Sequence, residues 1–272
     1  MDGRKVSFPT GSAALPLQKE KDMSSMNLNV GIKNIVHGTR IADIKVPDQL
    51  RNRVKTGIEF FDAAVGDLVP SSAAMITGTP GAGKTTLMLQ LADSIVASGH
   101  VCLYNTGEES LYQVKMTAER LGLCHNFFVG QDAIVSDILG HADMIKKQSK
   151  GKQVFLIQDS IATADDGKYA NSTNSMTSVR VVEMLTDWAK STYGIVLAVG
   201  QVTKSGEFAG KNQLLHTVDL RAELYIDKEK KSETFGERIF EVTKNRFASA
   251  GTAYILGMDK KGLHEKGSLS FS

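Results

Sequence analysis

From Val54 onward the chain alternates short apolar runs with stretches whose apolar residues recur at helical spacing; before that point it does neither. Ala73-Ala74-Met75-Ile76, Val101 to Asn105, Phe127-Phe128-Val129, Val154-Phe155-Leu156-Ile157 and Ile195 to Val199 have the length and composition of buried strands. Between them, Leu87, Met88, Leu91 and Ile95 share one helical face. Leu111 to Leu121 and Ile134 to Gln148 read as helices, and Ser178 to Lys190 is a third that turns Val181, Leu185 and Trp188 inward. Phe60 to Ala64 is a short helix, and Gly99 and Gly122 stand where helices end. Later, strands replace helices: Ala222 to Asp227, Arg238 to Lys244 and Ala253 to Met258. Alternating strand and helix units predict an α/β fold with a mostly parallel central sheet and helices on both faces. The late strands are expected to extend that sheet antiparallel.

The first 50 residues differ. Met1 to Asn29 is rich in Ser, Lys, Gly and Pro and reads as a flexible arm. Ile41 to Val46 (I-A-D-I-K-V) alternates enough to be a strand, docked on its own core or on a neighbouring subunit. The expected organisation is an arm over 1–50 and one core domain over 51–272. A hydrophobic fraction of 42% and a charged fraction of 23% support a sizeable core. The net charge of +2 advertises no polycationic surface, so any nucleic-acid contact must come from local loops. Cys102 and Cys124 form no C-x-x-C pair, which excludes a four-cysteine zinc module; two thiols without a signal peptide suit a cytoplasmic setting. Ile195 to Val199 is too short to span a bilayer, so no membrane partner is expected.

The chemistry centres on Gly78-Thr79-Pro80-Gly81-Ala82-Gly83-Lys84-Thr85, which matches G-x-x-x-x-G-K-[ST], the phosphate-binding loop. The glycines let the backbone turn its N–H groups toward anionic oxygens. Lys84 can reach the β- and γ-phosphates and the Thr85 hydroxyl can hold Mg²⁺, with Thr86 completing the stretch that lines an ATP molecule. An apolar strand before the loop and a helix after it make an anion site at a helix N-terminus.

Ligands in open α/β sheets sit beyond the C-terminal ends of the strands, so the polar residues that close each run form a set. Asp159 closes one strand and is placed either to hold Mg²⁺ or to cap the next turn with Ser160. Glu108 is the candidate for orienting an attacking water, and adjacent Glu109 is the close alternative; either could instead stabilise the N-terminus of the next helix. Gln201 closes a further strand and could contact the γ-phosphate. Thr163 to Thr177 and Val202 to Gln213 are polar, aperiodic segments at the same side. Lys168, Tyr169, Lys204, Phe208 and Lys211 offer charge and stacking surface there, although composition alone reads both as solvated loops. Lys244 and Arg246 share one side of a late strand and could reach a phosphate across a subunit boundary or simply end an exposed basic strand.

Taken in order, T-G-T-P-G-A-G-K-T-T-L-M-L-Q-L-A, Y-N-T-G-E-E-S, Q-D-S-I-A-T, G-Q-V-T-K-S-G-E-F-A-G and V-T-K-N-R-F-A-S-A-G resemble the ATPase core of bacterial RadA proteins, a branch of the RecA recombinase superfamily. The likeness covers roughly residues 51 to 265, and the ordered set, above all G-Q-V-T-K and K-N-R-F, is highly specific. The resemblance implies a RecA-like P-loop fold assembled head to tail as a homo-oligomer, a filament or a hexameric ring, with ATP and Mg²⁺ between subunits. It implies that Asp159 binds the metal, Glu108 is the catalytic glutamate, and Gln201 senses the γ-phosphate, where RadA usually has His. It makes the two polar segments loops for single-stranded DNA, and makes Lys244 and Arg246 act in trans. The activity implied is a DNA-dependent ATPase of homologous recombination, strand annealing or exchange, or branch migration. A DnaB-like helicase motor and a KaiC-like regulatory ATPase are the alternatives. Two departures stand out: the 272 residues carry neither RadA's zinc module nor its protease-like domain, and Ala248 follows K-N-R-F where the family has Gly. The expectation is a free-standing core similar to short phage recombinases.

Overall fold

The computed structural model describes residues 38–169, 176–200 and 216–270. Helices α1 (Glu59–Val65), α2 (Lys84–Ala97), α3 (Leu111–Leu121), α4 (Val135–Gln148) and α5 (Thr177–Thr192) alternate with strands β1 (Ser72–Thr77), β2 (Val101–Thr106), β3 (Phe128–Gly130), β4 (Val154–Asp159) and β5 (Ile195–Val199). Four strands follow: β6 (Leu220–Ile226), β7 (Arg238–Asn245), β8 (Thr252–Asp259) and β9 (Gly262–Ser270). The described strands form one sheet in the order β3-β2-β4-β5-β1-β6-β7-β8-β9.

The continuous apolar runs are explained by burial on both faces. Side chains alternate across a strand. Accordingly Ala74 and Ile76 of β1, Phe155 and Ile157 of β4, and Ile195 and Leu197 of β5 enter one core layer with α1 and α2. Ala73 and Met75, Val154 and Leu156, and Val196 and Ala198 enter the other, with α4 and α5. A strand covered on both sides has no polar positions to alternate with.

Helix α2 is buried on more than the predicted face, because Leu89 is as inaccessible as Leu87, Met88, Leu91 and Ile95. The cause is β9. Its Leu263 backbone N–H donates to Gln90 Oε1 at 2.9 Å, and Gln90 Nε2 donates to the Leu263 carbonyl at 3.0 Å. The helix ends in a Schellman arrangement, with His100 N–H donating to Ile95 and Gly99 N–H to Val96. Fourteen residues are marginal as an isolated helix, so packing of this kind decides its stability. Across the sheet, Trp188 Nε1 donates to Asp143 Oδ1 at 2.8 Å and ties α5 to α4.

Two expectations need correction, and one strand was not foreseen. Ile41 to Val46 is not a strand: Ile41–Asp43 is a 3-10 turn, Ile41 is 84% exposed, and no described strand lies beside the segment to supply a ladder. The late strands are not all antiparallel. β6 runs parallel to β1 (Ala74 beside Leu220, Thr77 beside Glu223), and only β7 to β9 reverse direction. Strand β9 has no counterpart in the apolar pattern. It is an edge strand whose His264, Glu265 and Lys266 are exposed, and such edges carry charge to resist pairing with other chains.

Candidate phosphate-loop site

Strands β1, β2, β4, β5 and β6 are mutually parallel, so their C-terminal ends share one edge of the sheet. The phosphate loop leaves β1 at that edge. Gly78 passes so close to β6 that a Cβ would sit 1.9 Å from the Leu224 carbonyl oxygen. Gly83 opens α2 at φ +107, a conformation that side-chain-bearing residues avoid. Gly78→Ala is therefore expected to cost at least about 3 kcal/mol, since the obstacle is backbone and cannot rotate away. Chemical denaturation of the two proteins measures this.

Lys84 lies across the loop, its Nζ donating to the carbonyls of Gly78 (2.9 Å) and Thr79 (3.1 Å). The Thr85 hydroxyl donates to Asp159 Oδ2 at 2.8 Å. The same oxygen accepts the Tyr104 hydroxyl at 2.9 Å. Next in sequence, Ser160 donates to Glu108 Oε1 at 2.5 Å, and the peptide joining Asp159 and Ser160 is cis. Glu108 is thus held by the residue that follows Asp159. The Thr106 hydroxyl accepts the N–H groups of Glu108 and Glu109 at 3.3 Å each, and Gly107 N–H continues the β2–β4 ladder to Asp159. Glu109 Oε2 is buried without a hydrogen-bond partner among the described residues.

The electrostatics follow from crowding acids at a buried edge. Burial pushes the Asp159 carboxyl above the usual range, against hydrogen bonds from Thr85 and Tyr104 that favour its charged form. Burial raises Glu109 as well, reinforced by the charges of Asp159 and Glu108. Burial lowers the Lys84 ammonium, while Asp159 and Glu108 pull it back up. Three carboxylates against one ammonium leave uncompensated negative charge. A divalent cation offsets that, and Thr85 Oγ1 with the Asp159 carboxylate supplies the oxygen donors that Mg²⁺ takes. The loop is shaped for an anion: the close approach at Gly78 and the φ at Gly83 leave no room for side chains where backbone N–H groups would face phosphate. These residues fit a nucleoside triphosphate with Mg²⁺. When bound, the metal neutralises phosphate charge.

Sequence reasoning missed Tyr104. In V-C-L-Y-N it reads as core, and it is fully buried. Its signal was the hydroxyl itself, which a buried tyrosine must pair. Gln201 and Val202 to Gln213, with Lys204, Phe208 and Lys211, lie outside the described residues. Of Thr163 to Thr177, residues 170–175 lie outside too. The described part is partly ordered by a bridge between Asp165 and Ile134 and by an ion pair between Asp166 and Arg180. Lys168 and Arg180 stand over the half-exposed Tyr169 ring at 5.7 and 5.6 Å.

The structure does not bring Lys244 and Arg246 to their own phosphate loop. Leu220, the first residue of β6, pairs with Asn245, so both cations sit at the opposite edge of the sheet. There Lys244 Nζ donates to the Val218 carbonyl at 2.7 Å. Arg246 pairs with buried Asp219 at 2.9 Å, and Asp219 also accepts the Ala73 N–H at the base of β1. Asn245, between them, is structural: its amide donates to Val65 and its oxygen accepts the N–H groups of Phe247 and Ala248. Arg53 completes the clamp on the Gly66 and Phe247 carbonyls. At Ala248 the methyl lies over Gly66, where a second Cβ would come within 2.6 Å.

This sheet and this loop define a RecA-like P-loop ATPase. The chain belongs to the KaiC family of ATPases, whose model matches residues 54–264. Among curated proteins it is similar to the DNA repair protein RadA of Aquifex aeolicus, 35% identical over 216 residues, covering 78% of this chain and 46% of that protein. The RadA of Streptococcus pneumoniae is 37% identical over 217 residues, covering 79% and 49%. The chain therefore spans about half the length of the curated relatives it matches. Two solved structures share the fold at 17% identity and TM-score 0.67. One is described as an ATPase domain, covering 79% of this chain and 90% of that one. The other is a DnaB-like replicative helicase described with its interactions with primase, covering 76% and 60%. No helix among the described residues is long and apolar enough to cross a membrane.

Proposed function

We propose that this chain is a DNA-dependent ATPase of homologous recombination or strand annealing, hydrolysing ATP at the boundaries between copies of itself. The observation that carries this reading is the division of basic residues between two edges of one sheet. Lys84 serves its own loop, whereas Lys244 and Arg246 face away from it at the far edge. Residues so placed can meet a triphosphate only when a second copy stacks head to tail, an arrangement that closes into a ring or continues as a filament. Lys84 grips the phosphates, Thr85 and Asp159 hold Mg²⁺, and Glu108 orients the attacking water. Lys244 and Arg246 of the adjoining copy stabilise charge developing on the transferred phosphoryl group. RadA relatives named for DNA repair support the choice of DNA as partner. Single-stranded DNA is the expected form, held by the two segments around 163–177 and 202–213 through stacking and backbone charge.

ATP turnover is expected to rise several-fold on adding single-stranded DNA, and native mass in the presence of ATP to be a multiple of the 29.4 kDa chain. The match to the KaiC family favours a second reading, a regulatory ATPase without a DNA role. A turnover rate indifferent to DNA, with assembly intact, selects that reading instead.

A further inference from the structure

We propose that Asp93, Cys124 and His125 form a binding site for a borderline-soft divalent cation of the zinc type, away from the phosphate loop. Asp93 lies on α2, roughly 13 Å along the helix axis from Lys84. Gly122, at φ +72, turns the chain back after α3 and brings Cys124 and His125 against it. Asp93 Oδ1 accepts both of their backbone N–H groups, at 2.9 and 2.7 Å, so one carboxylate oxygen fixes the loop. The other, Oδ2, is 2.9 Å from His125 Nδ1, and Cys124 Sγ is 3.7 Å from that same nitrogen.

The shared nitrogen decides between two readings of a Cys-His-Asp set. A proton relay needs the imidazole to present one nitrogen to the thiol and the other to the carboxylate. Here Nδ1 faces both, and the three donor atoms converge within 4.8 Å of one another. Zinc–ligand distances of about 2.0–2.3 Å place tetrahedral donors roughly 3.3–3.7 Å apart. The Sγ–Nδ1 spacing already meets that, and the Oδ2–Nδ1 pair needs to open by about half an ångström. Thiolate, imidazole and carboxylate together favour zinc or cobalt over magnesium. Binding sends the thiol proton to solvent, shifts the imidazole proton from Nδ1, which donates it to Asp93 Oδ2 in the metal-free loop, to Nε2, and leaves a fourth position for water. The loop is partly exposed, so the cation has an entry path. The site staples the far part of α2 to the loop entering β3.

The test uses the untagged full chain without nucleotide, with Co²⁺ as spectroscopic probe. The expected result is one Co²⁺ per chain with a thiolate-to-cobalt charge-transfer band, removed by a chelator and unaffected by excess Mg²⁺. Cys102 cannot supply that band, because it is buried and burial pushes its thiol up. The band should vanish in Cys124→Ser, a near-isosteric change at an exposed position, and His125→Ala should weaken binding at least about tenfold. With Zn²⁺ at about a hundred times its dissociation constant the melting temperature should rise by several degrees, and not in Cys124→Ser. A wild-type protein that gives no such band, a band that survives Cys124→Ser, or an unmoved melting temperature overturns the proposal.

Discussion

Lys84→Ala lowers ATP turnover by at least about 10³-fold, or roughly 4 kcal/mol of transition-state stabilisation. The size of the effect follows from the company Lys84 keeps. Its ammonium stands beside Asp159 and Glu108, while Lys244 and Arg246 of the same copy lie at the opposite edge of the sheet. Removing it leaves a polyanionic substrate facing acids at a half-buried site, where each uncompensated charge costs far more than in water. The fold should survive, because the two hydrogen bonds Lys84 donates both go to loop carbonyls that solvent can satisfy. Steady-state turnover alongside circular dichroism checks both halves. A folded variant hydrolysing at the parental rate would place the reaction elsewhere.

Glu108→Gln lowers turnover by about 10²–10³-fold while nucleotide affinity changes little. The substitution keeps size and hydrogen-bonding capacity but removes the charge that aligns water for attack. It also distinguishes two neighbours that the chain alone leaves interchangeable. Glu108 is held by Ser160 beside Asp159, whereas Glu109 has a buried oxygen without a partner among the described residues and a carboxyl raised by burial. A group already biased toward its neutral form is the weaker choice for ordering water by charge. Glu109→Gln is therefore expected to cost less than about tenfold in turnover. The reverse order in single-turnover measurements would assign the role to Glu109.

What the chain disclosed and what it concealed have physical causes. The parallel strands were legible because burial on both faces makes them unbroken apolar runs, and helices α2 to α5 because each keeps an apolar stripe. The phosphate loop was legible because close approach to β6 admits only glycine at 78. Strand β9 was not, since an edge strand with His264, Glu265 and Lys266 has little to bury. Ile41 to Val46 had the alternation of a strand without a partner among the described residues, and its first three residues form a 3-10 turn. The direction of β6 depends on which strand it pairs with, and that is decided by the whole sheet. For the same reason spacing could not tell whether Lys244 and Arg246 lie near their own loop or opposite it. Tyr104 was hidden because a tyrosine in an apolar strand reads as core until its hydroxyl is seen on Asp159. Asn245 was hidden inside a motif whose charged members drew attention to phosphate, while its own work is to hold the turn against α1.

On the proposed arrangement one copy supplies Lys84 and Glu108 while the next supplies Lys244 to the same triphosphate. Mixing two inactive variants, Glu108→Gln and Lys244→Ala, tests it most directly. Random assembly of equal amounts places an intact loop beside an intact Lys244 at about a quarter of the boundaries. The mixture is expected to recover about a quarter of wild-type turnover while each variant alone stays silent. A mixture as inactive as its components, under conditions where the two are shown to co-assemble, contradicts it.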